Sequence, residues 1–567
     1  MQGTPLANGT EKHPDTNWNS IDWHQEERRV RNLRQRIFRA TQAGDWKRVR
    51  SLQKLMLRSR ANRLVSVRRV AQLNQGRNTP GVDKVLLKTP EARGRMVDHL
   101  AHYQIWTAKP ARRVYIAKAN GKLRPLGIPV MIDRCVQSMV KNALEPSWEA
   151  RFEGCSYGFR PGRGCHDAIE KIYKLARPHT RRKWIVDADI KGAFDNISHE
   201  YLLATIGRVP GCELMKQWLK AGYVDKGVFH ETEAGTPQGG VISPLLANIA
   251  LHGMEEALGI KHRKRGELDS TRALVRYADD FCVFCENQED AQAVKDILTD
   301  WLSKRGLALS PEKTHIVHLT EGFNFLGFHI RLYRASNTKT GWKLLTKPSK
   351  EAVQKHREKM KQEWEAVRGW KLEKILWKFN PIIRGWANYY RTGTAKETFR
   401  KLDNWMFYKE VRHVKRTHPR KPKQWQQRKY WARLNLERQD HWVFGNKQSG
   451  HHLLKYAWFP IERHILVKGT SSPDDSSLKD YWRKRNARKV KDLPASRQKI
   501  AKKQNGVCPV CKNTLFNDEE LHVHHKIPKA KGGKDNYGNL VLVHFFCHQQ
   551  IHAKEDVEDE LVGEGST

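Results

Sequence analysis

The sequence predicts a multidomain α+β protein, and three observations support this fold class. The chain has 567 residues, a length typical of roughly three to five domains. Hydrophobic residues make up 39% of it and aromatic residues 9%, which is enough to fill hydrophobic cores and excludes a mainly disordered protein. Between residues 80 and 330, short runs rich in β-branched and aromatic residues alternate with helical stretches.

Residues 1–78 are predicted to form a basic helical extension. After a polar start, apolar residues recur at helical spacing from about residue 22 to residue 70, and arginine is dense among them. A solvated helix face is one interpretation of such a charge run, and contact with a nucleic acid is the other. The bias to arginine favours contact through Arg28, Arg31, Arg34, Arg36 and Arg39.

Residues 79–340 contain the strand-like runs RRVYIAKA, WIVDADI, LVRYADDFCVF and NFLGFHIRL. Residues 341–435 are predicted to be helical with a basic face, because residues 345–433 contain 25 Lys or Arg against 8 Asp or Glu. Residues 436–504 mix basic and aromatic side chains, a composition suited to contact with a DNA backbone. Residues 505–567 concentrate Cys and His, and the polar segments 418–426 and 471–477 are predicted linkers.

The charge balance indicates a polyanionic partner. The chain has a net charge of +43, which folded domains tolerate best when an extended nucleic acid neutralises it. A ribosome-associated protein, or a basic protein with no such partner, is the alternative. No run of 18 apolar residues occurs, so no membrane span is predicted. The N-terminus resembles neither a secretory signal nor a transit peptide, and we expect a cytoplasmic location.

Two apolar runs contain carboxylates that call for an explanation. Asp189 ends one run, and Asp279 and Asp280 lie in LVRYADDFCVF, which predicts a hairpin with Ala278 and Asp279 near its turn. Aspartate is almost never buried unless it is paired or coordinates a metal. Carboxylates from two strands can hold two Mg²⁺ ions about 3.5–4 Å apart, which activate a 3′-hydroxyl and stabilise a leaving pyrophosphate. An ordinary Asp-rich turn is the alternative.

These runs resemble the boxes of reverse transcriptases encoded by group II introns. YADD matches the catalytic box, DIKGAFDNI the box of the first catalytic Asp, and GTPQGGVISPLLANIAL lies between them. VYIAKANGKLRPLGIPVMIDRCVQ and GFRPGRGCHDAI precede them, and GLALSPEKT and FNFLGF follow, in the order of the family. NPIIRGWANYYR resembles the thumb or maturase domain, so the resemblance spans about residues 25–567.

The resemblance implies an architecture and a set of domains. Residues 79–340 would form the fingers and palm of a right-hand-like polymerase, with an antiparallel sheet. Residues 341–435 would form the α-helical thumb or maturase domain, and residues 436–504 the DNA-binding region. Residues 505–567 would form a small zinc-containing endonuclease domain of the ββα-metal type.

The resemblance also assigns roles within the polymerase boxes. Asp189 and Asp279 would bridge two Mg²⁺ ions, with the Ile190 carbonyl as a further ligand, and Asp280 would complete the acidic cluster. Phe194 would block a ribose 2′-hydroxyl and so favour deoxynucleotides, with core packing as its alternative. Lys118 and Arg124 would clamp the triphosphate, and Gln238 would lie near the templating pair. Lys313 would lie at the leaving pyrophosphate, with a merely solvated lysine as its alternative.

The C-terminal cysteines and histidines separate into two ligand sets. Cys-x2-Cys and His-x2-Cys spacing predicts a structural zinc site made of Cys508, Cys511, His544 and Cys547. The second set resembles the HNH endonuclease motif and assigns a divalent metal to His524, His548 and His552. His525 would be the general base and Asn539 would orient its imidazole. One larger zinc cluster without catalysis is the alternative.

One pair of cysteines has misleading spacing. Cys282 and Cys285 are separated like a zinc knuckle, but residues three apart on a strand face opposite sides of a sheet. They are therefore predicted to be core or surface thiols.

The whole pattern predicts an RNA-directed DNA polymerase and maturase with a metal-dependent DNA endonuclease. Its partners would be a group II intron RNA, target DNA and deoxynucleotides, in a bacterial, nucleoid-associated setting. Intron insertion would proceed by target-primed reverse transcription. A protein oligomer is compatible with the sequence, which specifies none. The nuclease metal would be Mg²⁺, Mn²⁺, Ni²⁺ or Zn²⁺.

Two other functions fit parts of the pattern. One is an RNA-binding splicing factor with an inactive polymerase, which the intact Asp189, Asp279 and Asp280 argue against. The other is a homing endonuclease whose polymerase-like region only binds DNA. Loss of nicking with retention of primer extension after mutation of His525 would separate the second from a protein with two active sites.

Overall fold

The computed structural model describes residues 15–102, 107–117, 121, 123–263, 266–517 and 519–553. It has the mixed α and β composition that the sequence predicts, with five separate sheets among the described residues. None of the helices in this part of the chain is both long and apolar enough to cross a membrane.

The N-terminal region is helical, as predicted. Asp22 and Asp45 cap two of its helices by accepting hydrogen bonds from the amides of Gln25 and Arg48, which are otherwise unpaired in a first turn. Apolar faces of the helices then close a common core. The elements are α1 (Trp23–Gln42), α2 (Trp46–Arg58), α3 (Arg60–Arg68), a π-helical turn (Arg69–Leu73), a 3-10 turn (Gln75–Asn78) and α4 (Pro90–His99).

The prediction of nucleic-acid contact is wrong for one of the five arginines. Arg34 is enclosed in an ion triad, in which its Nη2 lies 2.8 Å from Glu145 Oε2 and 2.7 Å from Asp474 Oδ2. The two carboxylates neutralise the charge of Arg34, and the triad joins three segments that are distant in sequence. The other arginines of the set are exposed: Arg28, Arg31, Arg36 and Arg39.

The central region consists of two four-stranded sheets connected by helices. One sheet has the strand order β2-β1-β4-β5 and the other β6-β7-β3-β8. In sequence order the elements are β1 (Ala111–Ala117), β2 (Leu123–Ile128), α5 (Met131–Glu149), α6 (Cys165–Leu175), β3 (Trp184–Asp189), α7 (Ala193–Asn196), α8 (His199–Ile206), α9 (Cys212–Lys220), β4 (Tyr223–Asp225), β5 (Val228–His230), α10 (Ser243–Ala250), α11 (Met254–Ala257), β6 (Ala273–Tyr277), β7 (Asp280–Cys285), α12 (Gln288–Ser303) and β8 (His315–His318).

The second sheet is antiparallel among β6, β7, β3 and β8, and it separates two hydrophobic cores. Cys282 and Cys285 are both fully buried on β7, the first in one core and the second in the other. Of the two predicted settings, core or surface, the structure shows the core for both thiols, which face opposite sides of the sheet. The register between β3 and β7 places Asp189 and Asp280, the terminal residues of the two strands, at one end of the sheet.

The basic helical region follows a small antiparallel sheet, β11-β10-β9. The predicted run NFLGFHIRL is divided by a turn in which Leu326 has φ 47°, so it forms two strands instead of one. The predicted linker 418–426 is wrong in its second half, because a helix begins at Lys423. The elements are β9 (Phe323–Phe325), β10 (Phe328–Arg334), β11 (Trp342–Pro348), α13 (Lys350–Ala366), α14 (Leu372–Tyr390), α15 (Lys396–Thr417), α16 (Lys423–Tyr430), β12 (Trp431–Ala432) and β13 (Val443–Phe444).

After β13 the described chain contains shorter and fewer regular elements. The predicted linker 471–477 is packed instead of free, since Ser472 is fully buried and Asp474 pairs with Arg34. Residues 545–553 are helical and follow the last strand directly. The remaining elements are 3-10 turns (Tyr456–Trp458, Ser476–Leu478, Arg488–Asp492 and Lys529–Lys531), α17 (Lys479–Ala487), α18 (Ala495–Lys503), β14 (Leu521–His525) and β15 (Leu540–His544).

Candidate active site and metal centres

Three carboxylates meet at one end of the second sheet. Asp189 ends β3 and lies directly opposite Asp280, the first residue of β7. Tyr277 pairs with Asp280 across a two-residue turn made of Ala278 and Asp279, and Ala278 has a φ of 59°. The predicted hairpin is therefore confirmed, and its turn carries Asp279 to the same place. The two apolar runs of the sequence thus meet at their acidic ends.

The surroundings of Asp279 and Asp280 favour the binding of a proton or a cation to these two carboxylates. Burial and the negative charges of Asp279 and Asp189 raise the pKa of Asp280 to about 7. Burial also raises the pKa of Asp279, and the positive charges of Arg124 and Lys313 oppose that shift. Lys313 Nζ lies 2.7 Å from Asp189 Oδ2, so the predicted lysine does lie at the acidic cluster.

A fourth acidic residue near this cluster was missed by the sequence reasoning. Asp187 lies two residues before Asp189 on β3, and alternation along a strand places the two side chains on the same face. Burial and the charge of Asp189 raise the pKa of Asp187 to about 7. The alternating Asp-x-Asp in WIVDAD was the signal available in the sequence.

A buried hydrogen-bond network holds the acidic turn. Arg276 is fully buried on β6, and its Nη1 donates to the carbonyl of Ala278 at 3.2 Å and to Asn248 Oδ1 at 3.0 Å. Asn248 Nδ2 donates in turn to the carbonyl of Gly158 at 2.9 Å. A Cβ on Gly158 would lie 2.4 Å from the Ala278 amide nitrogen, so only glycine allows this approach. The network was not predicted, although an arginine inside an apolar run was visible in the sequence.

The described nucleotide-binding candidates Phe194, Gln238 and Arg124 lie on or beside the first sheet. Phe194 is 8% exposed, stacks edge-to-face on Phe159 at 6.2 Å between ring centroids, and lines a cleft of about 420 Å³. Gln238 lies in the loop before α10, and its carbonyl accepts a hydrogen bond from the Gly127 amide on β2 at 2.8 Å. Arg124 is exposed on β2, and Ile190 is buried in a bridge with Leu309. Lys118 lies outside the described residues.

The first Cys/His set comes together as predicted. Cys508, Cys511, His544 and Cys547 are all buried, and their donor atoms lie within 4.8 Å of one another. His544 Nδ1 is 3.3 Å from Cys511 Sγ, while its Nε2 is 3.1 Å from the carbonyl of Thr514. That carbonyl fixes the tautomer in which Nδ1 is free to bind a metal. Three thiolates and one imidazole in a buried group are the donor set that tetrahedral Zn²⁺ prefers.

The second set comes together beside it. His524 at the end of β14 and His548 and His552 on the last helix place their donor atoms within 4.8 Å of one another. His525 faces away from this group, and its Nε2 lies 2.6 Å from Asp535 Oδ1. The pair β14–β15 followed by residues 545–553 positions all four imidazoles.

Asn539 does not make the contact that the sequence reasoning expected. Its side chain bonds the backbone of the loop after β14, through the amide and carbonyl of Ile527 at 2.8 Å and 3.0 Å and the carbonyl of Lys534 at 3.1 Å. It thereby closes the loop, while the carboxylate at His525 belongs to Asp535. Lys529 Nζ lies 2.6 Å from the second oxygen of Asp535.

Four family models match successive parts of the chain. They are the N-terminal domain of reverse transcriptase at residues 18–100, reverse transcriptase (RNA-dependent DNA polymerase) at 116–330, the group II intron maturase-specific domain at 353–431 and HNH endonuclease at 508–554. Protein YkfC of Escherichia coli K12 is 37% identical over 306 residues, which are 47% of this chain and 80% of YkfC. Group II intron-encoded protein LtrA of Lactococcus lactis subsp. cremoris is 35% identical over 297 residues.

The chain belongs to the group II intron-encoded proteins. It combines the domains of an RNA-directed DNA polymerase, a maturase and an HNH endonuclease. The alignment with LtrA covers 42% of this group II intron-encoded protein and 49% of LtrA, so it spans about half of that relative's length. Among solved structures, telomerase from Candida albicans matches 55% of this chain and 59% of its own at 13% identity, with a TM-score of 0.32 that is too low to support an inference.

The raised pKa values predict a pH-dependent demand for Mg²⁺ in this group II intron-encoded protein. Below about pH 7 a proton on Asp280 competes with the metal, so we expect the Mg²⁺ concentration for half-maximal primer extension to fall as the pH rises through this value. The folded state holds that proton more tightly than the unfolded chain does. The stabilisation of the folded state by protonation of Asp280 is therefore present below the ordinary pKa of aspartate and is lost as the pH rises through about 7.

Mg²⁺ titrations of primer extension at several pH values, with thermal unfolding in the presence and absence of Mg²⁺, measure both effects. Added Mg²⁺ should raise the thermal stability of the protein most at the highest pH values of the series. A Mg²⁺ demand that does not change with pH would contradict this account of the acidic cluster.

Proposed function

We propose that this protein binds a group II intron RNA, assists its splicing, nicks a DNA target and copies the RNA into DNA from the nicked end. The observation that carries this proposal is the presence on one chain of two separate candidate metal sites. Three carboxylates meet in the region that matches reverse transcriptase, and three histidines meet in the region that matches an HNH endonuclease.

The polymerase would have a right-hand-like arrangement. The sheet containing β1 and β2 would form the fingers, the sheet containing β3 and β7 the palm, and helices α13 to α15 the thumb. The domain limits that we propose are 79–340 for fingers and palm and 341–435 for the thumb or maturase domain. Residues 1–78 and 436–504 would be the basic extension and the DNA-binding region.

The acidic cluster would bind the metals of nucleotidyl transfer. Asp189 and Asp279, with the Ile190 carbonyl, would hold two Mg²⁺ ions, while Asp280 adds negative charge beside them. When bound, such ions supply the positive charge that activates a primer 3′-hydroxyl and neutralises a leaving pyrophosphate. Lys313 pairs with Asp189 in this structure. We propose that its exposed ammonium would turn to the pyrophosphate once a metal ion occupies its place at Asp189.

Nucleotide selection would take place in the cleft that Phe194 lines together with β1 and β2. Phe194 lines that cleft, and we propose that its ring excludes a ribose 2′-hydroxyl. Arg124 and Lys118 would contact the triphosphate from the fingers, and Gln238 would lie under the templating pair. Support for Arg124 comes from its charge, which acts on the Asp279 carboxyl and therefore lies close to the metal site.

The thumb would hold the intron RNA. Trp377 on α14 is 82% exposed, and Lys371 and Lys374 are exposed on the same helix or directly before it. An exposed indole among lysines can stack on an unpaired base while the ammonium groups contact phosphates. Binding of this kind supports RNA folding and needs no carboxylate chemistry.

The C-terminal domain would nick the DNA with a ββα-metal fold. His524, His548 and His552 would hold a divalent metal, and Cys508, Cys511, His544 and Cys547 a structural Zn²⁺. The metal supplies charge to the scissile phosphate when bound. His525 would take a proton from the attacking water, with Asp535 holding its imidazole and Asn539 closing the loop that carries Asp535.

A reconstituted reaction tests the whole proposal. Protein assembled with its intron RNA, and given duplex target DNA and deoxynucleotides, should yield cDNA joined covalently to the 3′ end of the nicked strand. RNase treatment and sequencing of the junction identify this product, and protein without intron RNA is the control. Nicking without joined cDNA would favour the homing endonuclease, and RNA splicing without either product would favour the splicing factor.

A further inference from the structure

The zinc-type cluster contacts an arginine from the opposite end of the chain. Arg68 is the last residue of α3, inside the part of the chain that matches the N-terminal domain of reverse transcriptase. It is 2% exposed and is among the largest fully buried side chains of the described residues. Its Nη2 lies 3.6 Å from Cys547 Sγ, which is within hydrogen-bond distance for sulfur.

The guanidinium is held on its other sides as well. Its Nη1 donates to Glu27 Oε1 at 2.9 Å, and its Cζ lies over the Trp23 ring, 4.5 Å from the ring centroid. Both contacts come from α1, so Arg68 spans the distance between the N-terminal helices and the cysteine cluster. A buried arginine keeps its charge and needs partners that compensate for lost hydration.

Charge explains why an arginine suits this position. Three thiolates, a neutral imidazole and Zn²⁺ together carry one net negative charge, in a cluster whose four residues are all fully buried or nearly so. Glu519 adds a further buried carboxylate close to His544. Arg68 is the guanidinium in contact with this group, and a donor to a metal-bound thiolate stabilises the metal as well as the ligand.

Other contacts join the same two regions. Arg31 on α1 donates to Asn513 Oδ1 at 3.2 Å, beside the first cysteine pair. Gln550 on the last helix donates to the carbonyl of Ile21 at 2.7 Å. Trp18, Trp23 and Leu64 share one hydrophobic core with Cys508 and Leu542. The nuclease region is thus packed on the N-terminal helices, with the metal cluster inside the interface.

We propose that the zinc centre is an interdomain joint, in which Arg68 makes the docking of the nuclease domain depend on the bound metal. This inference rests on the proposed zinc centre. Docking also shapes a cleft of about 450 Å³, which has His548 and His552 on one wall and Lys88 and Arg93 of the N-terminal region on the other. Loss of the joint would separate the nuclease metal ligands from that basic wall.

Replacing Arg68 by methionine tests the joint, because methionine keeps much of the side-chain volume and removes the charge. In the full-length protein we expect transfer of zinc to a coloured chelator to become about 10–100-fold faster. Hydrogen exchange should increase in both partners, residues 505–553 and residues 60–73. Arg60→Met on the exposed side of the same helix is the matched control and should change neither measurement.

A reciprocal measurement uses the unmutated protein. Removing zinc with the chelator should increase hydrogen exchange in α3, although α3 contributes no metal ligand. Primer extension monitors whether each variant has a folded polymerase, and Arg68→Lys, which keeps the charge, replaces Arg68→Met if the latter does not fold. The Arg68→Lys variant should release zinc faster than the unmutated protein. Where Arg68→Met folds, the lysine variant should release zinc more slowly than the methionine variant.

Two results would overturn the inference in distinguishable ways. Zinc held by the unmutated protein, with exchange in α3 indifferent to both chelator and Arg68→Met, would overturn the joint and leave the zinc centre in place. Absence of zinc from the purified full-length protein would overturn the zinc centre itself and the joint with it.

Discussion

Replacement of Asp279 by asparagine should reduce primer extension on an RNA template by about 10³-fold or more, since a lost metal ligand removes several kcal/mol of transition-state stabilisation. Asp279 lies at the turn between β6 and β7, where its pKa is already raised by burial and by Asp189. Asparagine fills the same space but supplies no charge. The RNA surface proposed above lies on α14 and does not include this turn, so intron RNA affinity should change by less than about twofold.

Steady-state primer extension and filter binding of the intron RNA give the two measurements. Asp300→Asn is a matched control, because Asp300 is an exposed acid on α12 with its side chain 68% accessible. Undiminished extension by the Asp279 variant would contradict the assignment of the acidic cluster. Loss of RNA binding together with extension would indicate that the substitution unfolds the palm.

Replacement of His525 by alanine should reduce DNA nicking by about 10²–10⁴-fold while primer extension from an added primer continues. His525 faces away from the three histidines that meet on the other side of β14, so its removal should leave the metal content of that site unchanged. Asp535→Asn should give a smaller loss, because the imidazole keeps its place but loses the carboxylate 2.6 Å away.

Nicking of a labelled duplex and primer extension are measured on the same preparations. His451→Ala, at an exposed histidine outside both sites, is the control. Loss of both activities in the His525 variant would contradict the two-site arrangement. If the His525 variant still nicked DNA, another residue would have to be the general base.

Much of the candidate site could be predicted from local sequence, because local rules determine it. Antiparallel pairing brings Asp280 opposite Asp189, a two-residue turn places Asp279 beside them, and helical spacing brings His548 beside His552. Cys-x2-Cys and His-x2-Cys spacing likewise predicted the complete cysteine cluster. In each case the decisive residues are neighbours in sequence or lie on strands whose pairing the apolar pattern indicates.

The sequence reasoning failed where partners come from distant segments. Arg34 was expected to contact a nucleic acid but pairs with Glu145 and Asp474, which are 111 and 440 residues away. A charged side chain in a basic run has no local feature that separates a solvated residue from one neutralised by a remote carboxylate.

The sequence by itself determined the fold class, the ordered polymerase boxes, the acidic cluster and both Cys/His ligand sets, because residue type and spacing specify them. Only the tertiary structure decided which side chains support these sites. Arg276 and Asn248 hold the acidic turn, and Arg68 reaches a thiolate 479 residues away. The physical reason is burial: an arginine removed from water must find its partners wherever the packed chain supplies them, and spacing along the sequence does not determine that place.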